Sequence, residues 1–94
     1  MKITKTNRGF AVASFKDQYK YDCSIQESSL ATKACVWLGL REPNPKQFPG
    51  NGTGWHDYKL PDNVQCTTRM HLTQRQVKAL LPLLQQFVKT GKLQ

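Results

Sequence analysis

Residues 64–91 read VQCTTRMHLTQRQVKALLPLLQQFVKTG, and this stretch decides the fold. From residue 64 to residue 72 apolar and polar side chains mostly alternate, with Val64, Met70 and Leu72 on one side. A period of two predicts a β-strand with one solvated face. That solvated face carries Arg69 and His71. The segment therefore predicts a strand that leads directly into the next element.

After the strand, the period changes to that of an α-helix. Thr73 and Gln76 have the spacing of a capping box, and Gly91 is a typical residue just beyond a helix end. We therefore expect a helix over about residues 74–90. Pro82 falls in its polar arc, on the solvent side, where a kink is tolerated; two shorter helices with a break near Leu81 are the alternative. The apolar arc consists of Val77, Leu80, Leu81, Leu84, Phe87 and Val88.

The N-terminal half predicts three more strands. Residues 10–15 (FAVASF) and 19–26 (YKYDCSIQ) form a predicted hairpin, the second strand alternating between apolar and polar side chains. Residues 28–33 can cap and form one helical turn. Residues 34–40 (ACVWLGL) are almost continuously apolar, which predicts a central strand buried on both faces.

The segment 41–63 contains four prolines and three glycines and shows no period, so we expect a long functional or mobile loop. Because 94 residues suffice for one domain, residues 1–94 are expected to form a single α+β domain. Its predicted architecture is an antiparallel sheet of about four strands with the C-terminal helix packed on one face. So short a chain has a thin core, which makes a homodimer possible.

Composition restricts the class of partner. Fourteen Lys and Arg residues against six Asp and Glu residues give a formal net charge of +8. The length excludes a Rossmann or TIM-barrel cofactor fold, and the sign of the charge excludes an acidic DNA mimic. The chain has no membrane-length apolar run and no secretory signal pattern, so we expect a cytoplasmic protein without a membrane partner.

The cations are concentrated at the two ends of the chain. Residues 63–94 contain five cations and no acid, and no acid precedes Asp17. This asymmetry predicts an anionic partner, although a basic surface that only aids solubility remains the alternative. Polar and aromatic side chains accompany the charge, and exposed aromatics beside cations suit stacking on bases. The candidate binding residues are Arg8, Gln26, Ser28, Ser29, Trp55, Arg69, His71, Arg75, Lys78 and Lys89.

Little in the sequence favours catalysis or metal binding. The chain has an odd number of cysteines, Cys23, Cys35 and Cys66. They read as reduced thiols, with Cys23 and Cys66 at inward positions of predicted strands. A zinc site with His56 and His71 is the alternative, but the spacing of a zinc motif is absent. No nucleophile, base and orienting group come together in the pattern. We therefore expect no enzyme, no cofactor and no metal.

Four segments resemble a small family of proteins encoded by bacteriophages and prophages. They are CSIQESSLA (23–31), VWLGL (36–40), GWHDYKLP (54–61) and TTRMHLTQRQVKALLPLLQQFVKTGKL (67–93). The resemblance implies a non-enzymatic accessory protein acting in the cytoplasm of an infected host. It assigns no catalytic residue.

Three functions follow as expectations. The first is a counter-defence protein of anti-CRISPR type that binds and inhibits a host defence or DNA-processing nucleoprotein or nuclease. The second is a direct nucleic-acid-binding protein that uses the basic N-terminal segment and the basic residues of the helix. The third is a sponge for an anionic signalling nucleotide, held by Arg8, Arg69, Trp55 and the serine and glutamine side chains near residue 26.

Overall fold

An antiparallel sheet and one C-terminal helix make up the fold in the computed structural model, which describes residues 1–50 and 52–94. The main sheet has five strands in the order β1-β2-β3-β4-β7, and β5 and β6 form a separate small hairpin. The α+β class is therefore confirmed. The elements are β1 (Ile3–Lys5), β2 (Ala11–Lys16), β3 (Asp22–Glu27), β4 (Cys35–Leu40), β5 (Lys46–Gln47), β6 (His56–Asp57), β7 (Arg69–Thr73) and α1 (Gln74–Thr90).

A tight turn joins β2 to β3 and sets their register. One carboxylate oxygen of Asp17 accepts hydrogen bonds from the backbone N–H groups of Tyr19 and Tyr21, at 2.9 and 3.0 Å. Lys20 takes the left-handed conformation between them, with φ of 71°. Because the turn uses these residues, β3 begins at Asp22, later than the alternation predicts.

The register of the strands gives the sheet two chemically different faces, because directly paired residues point the same way. The apolar face consists of Ile3, Ala11, Ala13, Phe15, Cys23, Ile25, Val36, Leu38, Leu40, Met70 and Leu72, with Lys5 and Glu27 at its margin. The polar face includes Val12, Ser14, Ser24, Gln26, Trp37, Gly39, Arg69 and His71.

Little of the chain is buried. Among the described residues only Val12, Ala13, Cys23 and Ser24 are classed as buried. Every residue of β4 is half-buried, so the prediction of a strand buried on both faces is wrong. The apolar character of β4 reflects its central position in the sheet, but no second layer covers it completely.

The helix α1 begins and ends at the predicted caps. The hydroxyl of Thr73 accepts from the N–H of Gln76 at 3.1 Å, and the N–H of Thr73 donates to the Gln76 side chain at 2.9 Å. Gly91 adopts the left-handed conformation, with φ of 75°, and its N–H donates to the carbonyl of Phe87 at 2.8 Å. The helix continues through Pro82, so the alternative of two shorter helices is wrong.

The helix lies on the apolar side of the sheet, as predicted, but the two elements touch over a small area. The contact of α1 is with β7, from which it continues without a linker. Farther from β7, an open groove of about 480 Å³ separates Ile25 and Val36 of the sheet from Val77 and Leu81 of the helix. No residue of α1 is buried.

Several local features differ from the sequence-based expectations. The strand β1 and the small β5–β6 hairpin within residues 41–63 were not predicted, because each is too short to show a period. Residues 28–33 form no helical turn; the hydroxyl of Ser28 instead accepts from the N–H of Leu30 at 3.1 Å. The last strand begins at Arg69, five residues later than expected. Across residues 1–50 and 52–94, no helix is long and apolar enough to cross a membrane.

Candidate functional site

The polar face and the segment after β3 bring together four of the predicted binding residues, Gln26, Ser28, Arg69 and His71. The cross-strand register places Gln26, Trp37 and His71 side by side on β3, β4 and β7. The neighbouring row contains Ser24, Gly39 and Arg69. As a result, Gln26 and Arg69 form a hydrogen bond although they are 43 positions apart in the sequence.

The side chain of Arg69 reaches from β7 across β4 to β3. Its Nη1 donates to Oε1 of Gln26 at 3.1 Å, and its guanidinium carbon lies 5.3 Å from the centroid of the Trp37 ring. Such a position favours a cation–π interaction and a fixed orientation of the planar guanidinium. Arg69 pairs with Gly39 in the register, so no side chain of β4 stands between Arg69 and Gln26.

An aromatic stack adjoins the arginine. The rings of Trp37 and His71 are stacked, with centroids 3.9 Å apart and an interplanar angle of 12°. Nε2 of His71 shares a hydrogen bond of 2.8 Å with the hydroxyl of Ser28. We refer to Gln26, Ser28, Trp37, Arg69 and His71 as the Arg69 cluster. Its members come from three strands and the segment after β3, so they are held by the sheet.

Arg69 has no neutralising partner in the described part of the chain. The ion pairs there join Lys16 to Asp22, at 2.7 Å, and Lys46 to Asp57. Hydrogen bonds from these lysines lower the pKa of Asp22 and of Asp57, and the bond to Asp57 raises the pKa of Lys46. The charge of Arg69, which is half-buried, thus remains available to an anion.

A buried hydroxyl lies in the same row as Arg69. Ser24 has no exposed surface, and its Oγ has no hydrogen-bond partner. Buried polar groups without a partner are uncommon in folded proteins and cost free energy. Ser24 pairs with Gly39 in the register, so this hydroxyl sits on the polar face at the level of the arginine.

Arg8 and Trp55, two of the predicted site residues, contact aromatic rings outside the Arg69 cluster. The guanidinium of Arg8 lies over Phe10 at 5.5 Å, in the turn at the β1 edge of the sheet. Trp55 is 69 % exposed and contacts Phe48 at 5.3 Å, beside the small hairpin. No hydrogen bond or ring contact within residues 1–50 and 52–94 joins either of them to the Arg69 cluster. Ser29 is exposed in the segment between β3 and β4.

The basic residues of α1 do not form one free stripe. Arg75 and Lys89 are exposed, but Lys78 lines the groove between the helix and the apolar face. The helical wheel places Lys78 on the flank of the apolar arc, which explains why it lines the groove. Arg75, Lys78 and Lys89 therefore remain predicted binding residues away from the Arg69 cluster.

The cysteines and histidines are dispersed. Cys23 is buried, Cys35 is half-buried and Cys66 is exposed outside any strand, so the inward strand position expected for Cys66 is wrong. His56 shares a hydrogen bond of 2.7 Å with the hydroxyl of Thr53, away from His71. Within the described ranges, no three His, Cys, Asp or Glu residues are grouped so that they could hold a metal ion.

Trp37 is the functional candidate that the sequence did not reveal. In the run 34–40 it reads as one more core residue, and only its cross-strand pairing with His71 identifies it as part of the polar face.

Comparison with known proteins adds no assignment: no protein-family model matches the chain, and no curated protein or solved structure is significantly similar to it.

Proposed function

We propose that the protein is a non-enzymatic binding protein that holds a phosphate-bearing ligand, a nucleotide or a nucleic-acid strand, on the polar face of its sheet. The observation that carries this proposal is the guanidinium of Arg69, positioned by Gln26 and Trp37 and free of any carboxylate partner in the described residues. Arginine in a fixed orientation presents paired N–H donors that match phosphate oxygens.

The neighbours of Arg69 support a phosphate ester over a simple anion. His71, one row away from the guanidinium, and Ser28, bonded to His71, provide hydrogen-bonding groups. The exposed ring of His71, one face of which is stacked on Trp37, adds aromatic surface on which a nucleobase stacks readily. The net charge of +8 attracts polyanions over a longer range and increases the rate of encounter.

The resemblance to phage-encoded proteins gives this activity a setting. In an infected bacterium the ligand would be the nucleic acid of a host defence complex or a signalling nucleotide that activates such a complex. Sequestering either one would inhibit the host without any catalytic step. The protein would then act in the host cytoplasm.

The experiment is a calorimetric titration with inorganic phosphate, nucleoside monophosphates, cyclic dinucleotides and a short single-stranded DNA. We expect the wild type to bind at least one of the nucleotide ligands. Arg69→Gln should weaken that binding by about 10-fold or more, because a charged hydrogen bond is lost. Arg69→Lys should recover part of the affinity, since it keeps the charge but not the planar fork.

Lys59→Gln serves as the matched control, because it removes one positive charge from an exposed residue in the segment between β6 and β7. If Lys59→Gln and Arg69→Gln weakened binding equally, the affinity would come from overall charge and not from the Arg69 cluster. If no nucleotide or nucleic acid bound the wild type, the proposal would be wrong.

A second candidate is direct inhibition of a host defence nucleoprotein through its bound nucleic acid. It is favoured by residues 63–94, which contain five cations and no acid. Such a protein is repelled by an empty basic channel and attracted by its nucleic acid. Capture on the immobilised chain should then recover a host nucleoprotein, and nuclease treatment should release it; recovery that survives nuclease would indicate a protein contact instead.

A further inference from the structure

The largest unexplained feature of the molecule is its uncovered apolar surface. On the apolar face of the sheet, Met70 is 54 % exposed and Ile25 is 37 % exposed. On α1, Leu84 and Phe87 are 55 % and 54 % exposed. Contiguous apolar patches of this kind mark interaction surfaces in soluble proteins. The sheet lacks a complete covering layer, and the helix lacks a surface for its apolar arc.

The overall dimensions confirm that the protomer is too open for an isolated domain. Its radius of gyration is 16.8 Å, whereas a compact domain of this length has about 12 Å. Its accessible surface is 8209 Å², which exceeds by about 2,700 Å² the surface of a typical monomer of 10.7 kDa. A second molecule is needed to bury a surface of this size.

The helix of the same chain cannot rotate to close the gap at low cost. The strand β7 ends at Thr73 and α1 begins at Gln74, so no linker separates them. The two reciprocal bonds between Thr73 and Gln76 fix the residue at which the helix begins, directly after the strand. The 17-residue helix is about 25 Å long, and the groove that separates it from the sheet is lined on the helix side by residues of its first half, among them Val77 and Leu81.

A second copy of the chain fits the uncovered surface better than an unrelated partner does. Each protomer exposes two surfaces that fit each other. One is the apolar face of its sheet, which its own helix covers only in part, and the other is the apolar arc of α1, which its own sheet does not cover. A two-fold axis would bring these two surfaces together twice, which is how isologous dimers are built. The apolar face carries one cation and one anion, Lys5 and Glu27, so the net charge of +8 is not concentrated there.

The available area is sufficient for a stable dimer. If each of two copies buried half of its excess surface, the interface would total about 2,700 Å², within the range of roughly 2,000–5,000 Å² for obligate homodimers. We infer that the protein is a two-fold symmetric homodimer in which the apolar arc of α1 from each protomer packs on the apolar face of the other protomer's sheet.

Sedimentation equilibrium over a wide concentration range tests this inference. We expect the wild-type chain to have twice the mass of 10.7 kDa. Leu84→Glu should raise the dimer dissociation constant by at least about 10-fold, because it places a charge in the contact. Gln86→Glu, which adds the same charge on the side of the helix opposite the apolar arc, is the matched control and should leave the dimer intact.

The arrangement of the two copies is tested by NMR on a mixture of isotope-labelled and unlabelled protein. Intermolecular contacts are expected between methyl groups of Leu84 and those of Leu38 or Met70. This measurement needs no variant, so it remains informative even if Leu84→Glu unfolds the chain. A monomeric mass at every concentration, an assembly larger than a dimer, or a dimer without these contacts would overturn the inference.

Discussion

At the scale of single residues, Gly39 makes the Arg69 cluster possible. Its φ of 146° is a conformation that other residues rarely adopt. A Cβ at this position would lie 2.7 Å from the backbone oxygen of Thr68 and 3.0 Å from the Cα of Arg69. The absence of a side chain both permits this close approach of β4 to the entry of β7 and leaves space for Arg69 to reach Gln26.

Gly39→Ala should therefore destabilise the protein by about 2–4 kcal/mol, through backbone strain and a clash that no side-chain rotation relieves. Urea denaturation measures this loss. Gly9→Ala is the control, since Gly9 also has a positive φ, of 88°, but has open space around it. That variant should cost about 1 kcal/mol, the strain alone. Equal losses for the two variants would show that the contact with Thr68 is unimportant.

At the scale of elements, the junction of β7 and α1 connects the two surfaces. The strand directs Arg69 and His71 to the polar face and Met70 and Leu72 to the apolar face. Thr73 then ends the strand and caps the helix. Because α1 has no buried residue, its stability within the protomer depends strongly on this cap.

Thr73→Ala should remove about 1 kcal/mol of stability, because the N–H of Gln76 loses its acceptor. The helical signal in circular dichroism should decrease at a lower urea concentration than in the wild type. Thr73→Ser keeps the hydroxyl and should restore most of the lost stability. If the alanine variant were as stable as the serine variant, the cap would not be what fixes the helix.

The elements that the sequence predicted are those with a long, clear period. The helix over 74–90 is confirmed because six apolar residues repeat over several turns, and the faces of β3 are confirmed because Cys23 and Ile25 alternate with Ser24 and Gln26. The alternation of the last strand, with Arg69 and His71 on one side and Met70 and Leu72 on the other, is also confirmed. The expectation that only the side of Arg69 and His71 is solvated is wrong, because Met70 is exposed as well.

What the sequence could not show depends on contacts between distant segments. The short strands β1, β5 and β6 exist through pairing alone. Trp37 belongs to the polar face because of its register with His71, and no local pattern encodes that register. For the same reason Trp55, which the sequence groups with the cluster, lies against Phe48 instead.

At the scale of the whole molecule, the two proposed contacts respond to salt in opposite ways. Binding of a phosphate-bearing ligand releases counterions, so added salt weakens it. Association of two copies brings together two chains of charge +8, so added salt strengthens it by screening their repulsion. The two equilibria can thus be separated in one protein sample.

Raising the salt concentration from about 20 to 300 mM should weaken nucleotide or DNA binding and lower the dimer dissociation constant. Calorimetry and sedimentation at the same salt concentrations measure the two effects. Leu84→Glu should retain the salt dependence of ligand binding, because Arg69 lies on the opposite face of the sheet. If both equilibria weakened as salt rose, electrostatic attraction would also hold the copies together, contrary to an apolar interface.

Because β7 supplies side chains to both faces of the sheet, the chain tolerates insertions and deletions at some positions and not at others. Deleting one residue within this five-residue strand would turn every later side chain to the other side, so that the arginine or the methionine would emerge on the wrong surface. Insertions between residues 41 and 63 leave that alternation unchanged. A one-residue deletion between residues 41 and 63 should therefore be tolerated better than one between Arg69 and Thr73, which urea denaturation of the two deletion variants measures.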